Sequence, residues 1–280
     1  MGQIALNKNL EDFLRGYSKL ETPDEKIEHK VEGSLMFEGH EEVMKQYEEM
    51  LAIDEWLDAR EAILRTYASL QPEQINTFLQ TTVKYEPHKW YAQLTGRFLT
   101  RLIRNSHYAG KNNFMLNTKA LSKDIDCLGF DLKGRGINKL ELTINGNVGE
   151  KCCAWAENIG KVYISGSAKS CCGQLANDIG LLHIGEDAGS CCGISASEIG
   201  VLYIGRNAGN CCGGGARSIG QIYIGGLAKK KCGDETRCST FKTPNKQTLQ
   251  LLKKNVPKRK RFGNRIFFIH PDKHEEEIKW

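Results

Sequence analysis

The chain has 280 residues, 40% of them hydrophobic, and its 39 Lys and Arg against 34 Asp and Glu give a net charge of +5. This composition excludes a wholly disordered chain because it supplies enough apolar side chains for a core, and the length allows one large or two ordinary domains. The polar N-terminus lacks the pattern of a signal peptide, and no apolar run reaches the roughly 20 residues of a membrane-spanning helix. We therefore expect a cytoplasmic protein without a membrane partner.

Apolar residues at helical spacing predict a helical domain over residues 1–120. The pattern indicates helices at about 10–20, 41–69 and 89–106, and a further helix that begins near Pro72. Proline suits that place because the N–H groups in the first turn of a helix have no partner within the helix.

The last of these helices carries Arg97, Arg101 and Arg104 at i, i+4 and i+7, so the three arginines share one side of it. One interpretation is an edge that contacts phosphates. The other is an ordinary solvated face, which is the commoner reason for a charged stripe on a surface helix.

A strict 20-residue repeat occupies residues 142–233, without insertion or deletion. A fixed period of this size is typical of stacked units that bury their apolar sides against each other. Helical units are disfavoured because each unit carries several glycines, which cost about 1 kcal/mol apiece in a helix. We predict a parallel β-solenoid of 20-residue coils over residues 121–238, which makes the fold class α+β. The sharpest recurring residues are Cys152, Cys172, Cys192, Cys212, Cys232, and Ile144, Ile164, Ile184, Ile204, Ile224.

The glycine spacing of these units, as in Gly185, Gly189 and Gly193, resembles that of the glycine-rich right-handed β-helix found in the C-terminal domain of glutamate synthase and in formylmethanofuran dehydrogenase. The likeness covers about 90 of the 280 residues, and the paired cysteines of this chain depart from it. It implies a right-handed β-helix that acts as a scaffold and contact surface. One alternative function follows, a structural subunit of an oxidoreductase complex.

The 11 cysteines, most of them in adjacent pairs, are expected to be reduced. The cysteines with the 20-residue period share their spacing with core-type residues, so we expect them to point inward as small buried hydrophobes. Their neighbours Cys171, Cys191 and Cys211 then form an outward row between Lys151 and Lys231. Lysines close to stacked thiols would lower the pKa of the thiols. The row therefore indicates another alternative function, a Zn, Fe–S or redox site. No C-x-x-C or interleaved histidine accompanies the row, and the leading interpretation has no cofactor.

A second outward row contains Tyr163, His183, Tyr203 and Tyr223. An exposed aromatic row can stack nucleobases or contact a partner protein. The alternative is stacking between coils that only stiffens the sheet.

Residues 239–280 are predicted to form a basic extension with a short helix and a terminal strand at 264–270. Residues 229–265 carry thirteen Lys or Arg against two acids, a net charge of +11. Dense positive charge suits phosphate backbones, and a solvated or targeting tail is the alternative. The candidate nucleic-acid contacts are Lys229, Lys230, Lys231, Lys253, Lys254, Lys258, Arg259, Lys260, Arg261 and Arg265, with Arg97, Arg101 and Arg104 as a second set.

The sequence contains no P-loop, G-x-S-x-G or H-E-x-x-H motif, so no catalytic residues are assigned. The leading prediction is a non-enzymatic RNA-associated scaffold protein, with the ribosome as a candidate partner, that grips phosphates with its basic C-terminal segment.

Overall fold

The computed structural model describes residues 37–237, 239–256 and 263–279. The helix predicted at 10–20 lies outside these ranges. The N-terminal part of the described chain is helical, as predicted. It contains α1 (His40–Leu51), α2 (Trp56–Leu64), α3 (Pro72–Thr81), a 3-10 turn (Thr82–Tyr85) and α4 (Tyr91–Tyr108).

Aromatic packing holds these helices together. Tyr47 of α1 is fully buried, with its ring centroid 5.3 Å from that of Phe78 in α3 and 5.3 Å from that of Phe98 in α4. Its hydroxyl is 2.6 Å from the Oγ1 of Thr95, so the polar end of the buried ring has a partner. A single side chain therefore links three helices.

The single helix predicted over 41–69 is wrong, because the chain forms two helices separated by residues 52–55. The apolar face of α1 includes Tyr47 and Leu51, and its continuation seven residues later falls on Asp54 and Asp58, which cannot extend a buried stripe. The chain turns and α2 buries a different face. As a result, the large hydrophobic side chains of Leu57, Leu64 and Tyr67 are 52–79% exposed.

The remainder of the described chain forms a nine-stranded sheet in which the spatial order of the strands equals their order in the chain. The parallel strands are β1 (Asn113–Asn117), β2 (Leu140–Asn145), β3 (Glu157–Ile164), β4 (Asn177–Ile184), β5 (Ile199–Ile204), β6 (Ile219–Ile224), β7 (Thr240–Thr243) and β8 (Arg265–Ile269). The last strand, β9 (Glu275–Glu277), pairs antiparallel with β8. Helix α5 (Lys246–Asn255) lies between β7 and β8 in the chain.

The pairing register confirms the predicted β-solenoid and the α+β fold class. Ile144 pairs with Ile164, Ile164 with Ile184, and the column continues through Ile204 to Ile224. All five isoleucines are buried. The helices and the solenoid share one continuous hydrophobic core.

Glycine permits the coils to approach closely. Gly200 in β5 lies directly over Gly180 in β4, and a Cβ atom at Gly200 would be 2.4 Å from the carbonyl oxygen of Gly180. The same contact recurs between Gly220 and Gly200, at 2.6 Å. The 20-residue glycine period is therefore a packing requirement of this column.

The sheet extends beyond the 20-residue repeat at both ends. Strand β1 pairs with β2 through Phe114 and Leu142, which are 28 positions apart, and β8 pairs with β7 through Ile266 and Phe241, which are 25 apart. Strand β8 lies within the segment predicted as the terminal strand. Among the described residues, no helix is both long enough and apolar enough to cross a bilayer.

Candidate functional site

Five exposed lysines gather at the last 20-residue coil. We call Lys229, Lys230, Lys231, Lys253 and Lys254 the terminal lysine patch. None of the five forms an ion pair with an acid among the described residues, and the carboxylates in the same turn are those of Asp234 and Glu235. The patch therefore presents concentrated positive charge to solvent.

Helix α5 brings the two halves of this patch together. Near its start, the Thr248 hydroxyl donates to the Gly226 carbonyl and accepts from the Ala228 N–H, both at 2.8 Å. Near its end, the Asn255 amide donates to the Cys232 carbonyl at 3.4 Å. Because both ends of α5 are tied to residues 226–232, its last turn, with Lys253 and Lys254, lies beside the turn that carries Lys229–Lys231. Cations at the C-terminal end of a helix also interact favourably with its dipole.

The same end of the solenoid has one backbone donor, the N–H of Lys231, without a partner among the described residues. In the preceding coils, the N–H of Cys191 donates to the Asn210 carbonyl at 2.7 Å and that of Cys211 to the Lys230 carbonyl at 3.0 Å. Lys231 is the next member of this column, and its N–H has no acceptor among the described residues. Lys231 has a left-handed φ of 60°, and backbone N–H groups in such turns favour anions.

Another predicted phosphate contact, Arg265, has a local partner instead. The Arg265 guanidinium makes two hydrogen bonds to the Glu277 carboxylate, at 2.8 and 2.9 Å, and it lowers the pKa of that carboxyl. Lys242 of β7, which was not among the predicted contacts, is similarly paired with Glu275, at 2.6 Å. The predicted contacts Lys258, Arg259, Lys260 and Arg261 lie outside the described residues.

The arginine stripe on α4 faces the protein's own chain. Arg101 donates to the carbonyls of Leu64 and Thr66, at 2.9 and 3.0 Å. Arg104 donates to the Asp131 carbonyl and lies 3.8 Å from the Asp131 carboxylate. The arginines therefore line a folded cleft and are half-buried, which differs from an ordinary solvated face, and contact with phosphates stays a prediction.

The period-20 cysteines point inward, as predicted. Cys152, Cys172, Cys192, Cys212 and Cys232 are at most 1% exposed. The Cys212 and Cys232 thiols donate to the Gly189 and Gly209 carbonyls, at 3.4 and 3.1 Å. Hydrogen bonds from neighbouring thiols together with burial raise the pKa of Cys152, Cys192 and Cys212. This column is a stack of buried thiols within the core.

The outward row is half-buried and continues through both flanking lysines. Cys171, Cys191 and Cys211 share left-handed backbone with Lys151 and Lys231, at φ values between 59° and 67°. Cys127 occupies the equivalent place one coil earlier, because its N–H donates to the Glu150 carbonyl as that of Lys151 does to Ser170. The sequence could not show this member because its spacing is irregular.

The pKa of Cys191, in the middle of this row, shifts in the direction opposite to the one expected from the sequence. Burial and the neighbouring thiols Cys171 and Cys211 raise the pKa of Cys191, whereas lysines were expected to lower it. Within the described ranges, no group of three or more His, Cys, Asp or Glu side chains is arranged to hold a metal ion. The row therefore offers neither an activated thiolate at Cys191 nor a geometry that favours Zn or Fe–S.

The aromatic row is a continuous stack. Ring centroids are 4.5 Å apart from Tyr163 to His183, 4.4 Å from His183 to Tyr203 and 4.6 Å from Tyr203 to Tyr223, with interplanar angles from 21° down to 2°. Each inner ring has its two faces covered by its neighbours, so a nucleobase cannot insert between them. Burial and the nearby charge of Lys161 lower the pKa of His183 to about 4, so this ring is neutral at neutral pH. The geometry fits the stiffening role better than a base-stacking surface.

Comparison with protein-family models, curated proteins and solved structures finds no match. The function is therefore inferred from the geometry of the site, where the terminal lysine patch exposes five lysines without an ion pair among the described residues.

Proposed function

We propose that this protein is a non-enzymatic RNA-associated scaffold that holds RNA phosphates at its terminal lysine patch, with the ribosome as a candidate partner. The observation that carries the proposal is the convergence of five exposed lysines without an ion pair among the described residues, on two elements that hydrogen bonds fix against each other.

The charge geometry supports phosphate recognition in preference to recognition of a single carboxylate. Lys229–Lys231 follow one coil turn, whereas Lys253 and Lys254 lie on the adjacent helix end, so the positive charge spreads over a surface. A phosphate backbone offers repeated negative charges at regular spacing and requires no specific side-chain order. The unpartnered N–H of Lys231 adds a backbone donor at the same place.

The rest of the molecule supports a scaffold role. The coils are fixed by parallel pairing and by the aromatic stack. The patch is thus held on a rigid support, which reduces the entropy cost of positioning several lysines at once.

The test is RNA binding by fluorescence anisotropy over a series of salt concentrations. We compare the full chain with Lys230→Gln/Lys254→Gln and with the matched control Lys45→Gln/Lys119→Gln, which removes the same two charges from exposed positions elsewhere. Each lost contact to single-stranded RNA should reduce the slope of log K against log salt by about 0.7, so the patch variant should lose about 1.4. The control should keep the parent slope.

Equal losses in the two double variants would mean that only net charge matters, and the patch would not be the site. Binding without salt dependence would exclude phosphate contacts by this protein altogether.

A further inference from the structure

A second cationic feature lies on the helical part of the chain. A cleft of about 80 Å³ is lined by Arg60 of α2, by Arg97, Arg101 and Arg104 of α4, and by Phe130 and Asp131 of the segment that follows β1. We call it the arginine cleft. The cleft brings four guanidinium groups around one small space, and its lining includes one carboxylate, that of Asp131.

Three of the four guanidinium groups, those of Arg97, Arg101 and Arg104, are held in place by the fold. Arg97 lies against two aromatic rings, 4.4 Å from the Phe130 centroid and 5.4 Å from the Trp56 centroid. Arg101 and Arg104 are fixed by their hydrogen bonds to the carbonyls of Leu64, Thr66 and Asp131. These groups lose little freedom when a ligand arrives, which favours binding.

Two of these arginines have donors that remain unused. The Nε–H groups of Arg97 and Arg104 are buried and have no hydrogen-bond partner among the described residues. Buried polar groups nearly always have a partner, so these two donors favour an acceptor that enters the cleft. The Asp131 carboxylate does not supply it, because it lies between Arg104 and Lys133, at 3.8 and 3.9 Å.

Size and charge define the acceptor. A water needs about 10–15 Å³ of such space, so 80 Å³ holds roughly five to eight non-hydrogen atoms. A single phosphate group fits this space. Planar guanidinium forks match the paired oxygens of a phosphate, and arginine is over-represented where such recognition matters.

We infer that the arginine cleft is a binding site for one phosphate group, either free phosphate or the phosphate of a small monoester. Arg60, on the exposed rim, closes the ring of positive charge, while Arg97 and Arg104 donate from within. The site does not depend on the terminal lysine patch, because it is built from α2, α4 and the segment after β1.

The experiment uses the full chain with inorganic phosphate and, separately, glycerol 3-phosphate as probes, measured by isothermal titration and by thermal shift against sodium chloride at equal ionic strength. We expect saturable binding of at least one probe. Arg60→Gln should weaken it at least about tenfold, the usual loss for one charge-assisted contact. Arg65→Gln is the matched control, since Arg65 is an exposed arginine that follows α2, pairs with Glu61 and does not line the cleft.

The monoester arm identifies the source of the phosphate. Binding of both probes shows that a small organic phosphate fits, and binding of inorganic phosphate alone shows that the site is specific for the free ion. Arg104→Lys keeps the charge but removes the Nε–H, and it should also weaken binding while leaving the melting temperature in chloride within a few degrees of the parent value.

The inference is overturned if neither probe binds, or if Arg60→Gln and Arg65→Gln weaken binding equally. It is separable from the proposed RNA function, because Lys230→Gln/Lys254→Gln should bind the phosphate probes as the parent does.

Discussion

The most direct test of the solenoid packing is Gly200→Ala. The new methyl group would be 2.4 Å from the Gly180 carbonyl oxygen, whereas ordinary contacts of this kind begin near 3.4 Å. The two coils would have to separate locally by about 1 Å. This separation is large compared with the spacing of about 4.8 Å between hydrogen-bonded strands. Neither partner can move aside, because both are backbone within paired strands.

The expected loss of stability has two main parts. Overpacking in a well-packed region costs about 1–3 kcal/mol, and each weakened hydrogen bond between β4 and β5 adds about 1 kcal/mol. The smaller conformational entropy of unfolded alanine offsets about 0.4–1 kcal/mol. The net loss in the free energy of unfolding is about 2–3 kcal/mol, which corresponds to a fall of roughly 4–12 °C in Tm for a domain of this size.

Gly214→Ala is the matched control. The equivalent positions in other coils are Ala154, Gln174 and Ile194, so this place already accepts side chains. Denaturant titration followed by circular dichroism gives the free energy of unfolding for both variants. If the free energy of unfolding of Gly200→Ala equals that of Gly214→Ala, the coils do not approach each other closely at the glycine column.

Two further predictions concern the stacked columns. The folded-state pKa of His183 is about 4, below its usual 6.5, so the stability that its neutral form contributes is full above pH 6.5 and is lost as the pH falls toward 4. His183→Phe keeps the ring stack and should remove up to about 3 kcal/mol of that pH dependence, whereas an unchanged pH profile of unfolding would mean that His183 is not the titrating group. Cys192→Ser places a hydroxyl in the apolar core and should cost about 1–3 kcal/mol, while the same change at half-buried Cys191 should cost under about 1 kcal/mol. Chemical denaturation compares the two, and equal losses would contradict their assignment to opposite sides of the coil.

The sequence was sufficient to predict the coils because each coil repeats the same packing. Ile144, Ile164 and Ile184 occupy equivalent sites, so a period in the chain becomes a column in space. The inward direction of Cys172 and its equivalents followed from the same logic, because they share their period with core-type residues. In a fold of stacked repeats, a residue's position within the repeat therefore predicts which residues of the neighbouring coils it contacts.

Contacts without a period could not be predicted. Strand β1 pairs with β2 across 28 positions rather than 20, so Phe114 gave no signal of its place in the sheet. The arginine cleft joins Arg60, Arg97 and Asp131 from three separate segments, and only the tertiary structure brings them together. The pairing of Arg265 with Glu277 likewise depends on β9 turning back along β8.

The reversal at β9 has a consequence for self-association. A parallel column exposes a template at its last strand, onto which a coil from another copy could add. Here the described sheet finishes instead with a short strand running the opposite way, and its three successive residues, Glu275, Glu276 and Glu277, are all exposed acids. A second copy approaching this edge would meet a three-residue acidic strand of opposite direction in place of a parallel coil, so the final hairpin disfavours the addition of further parallel coils on this side.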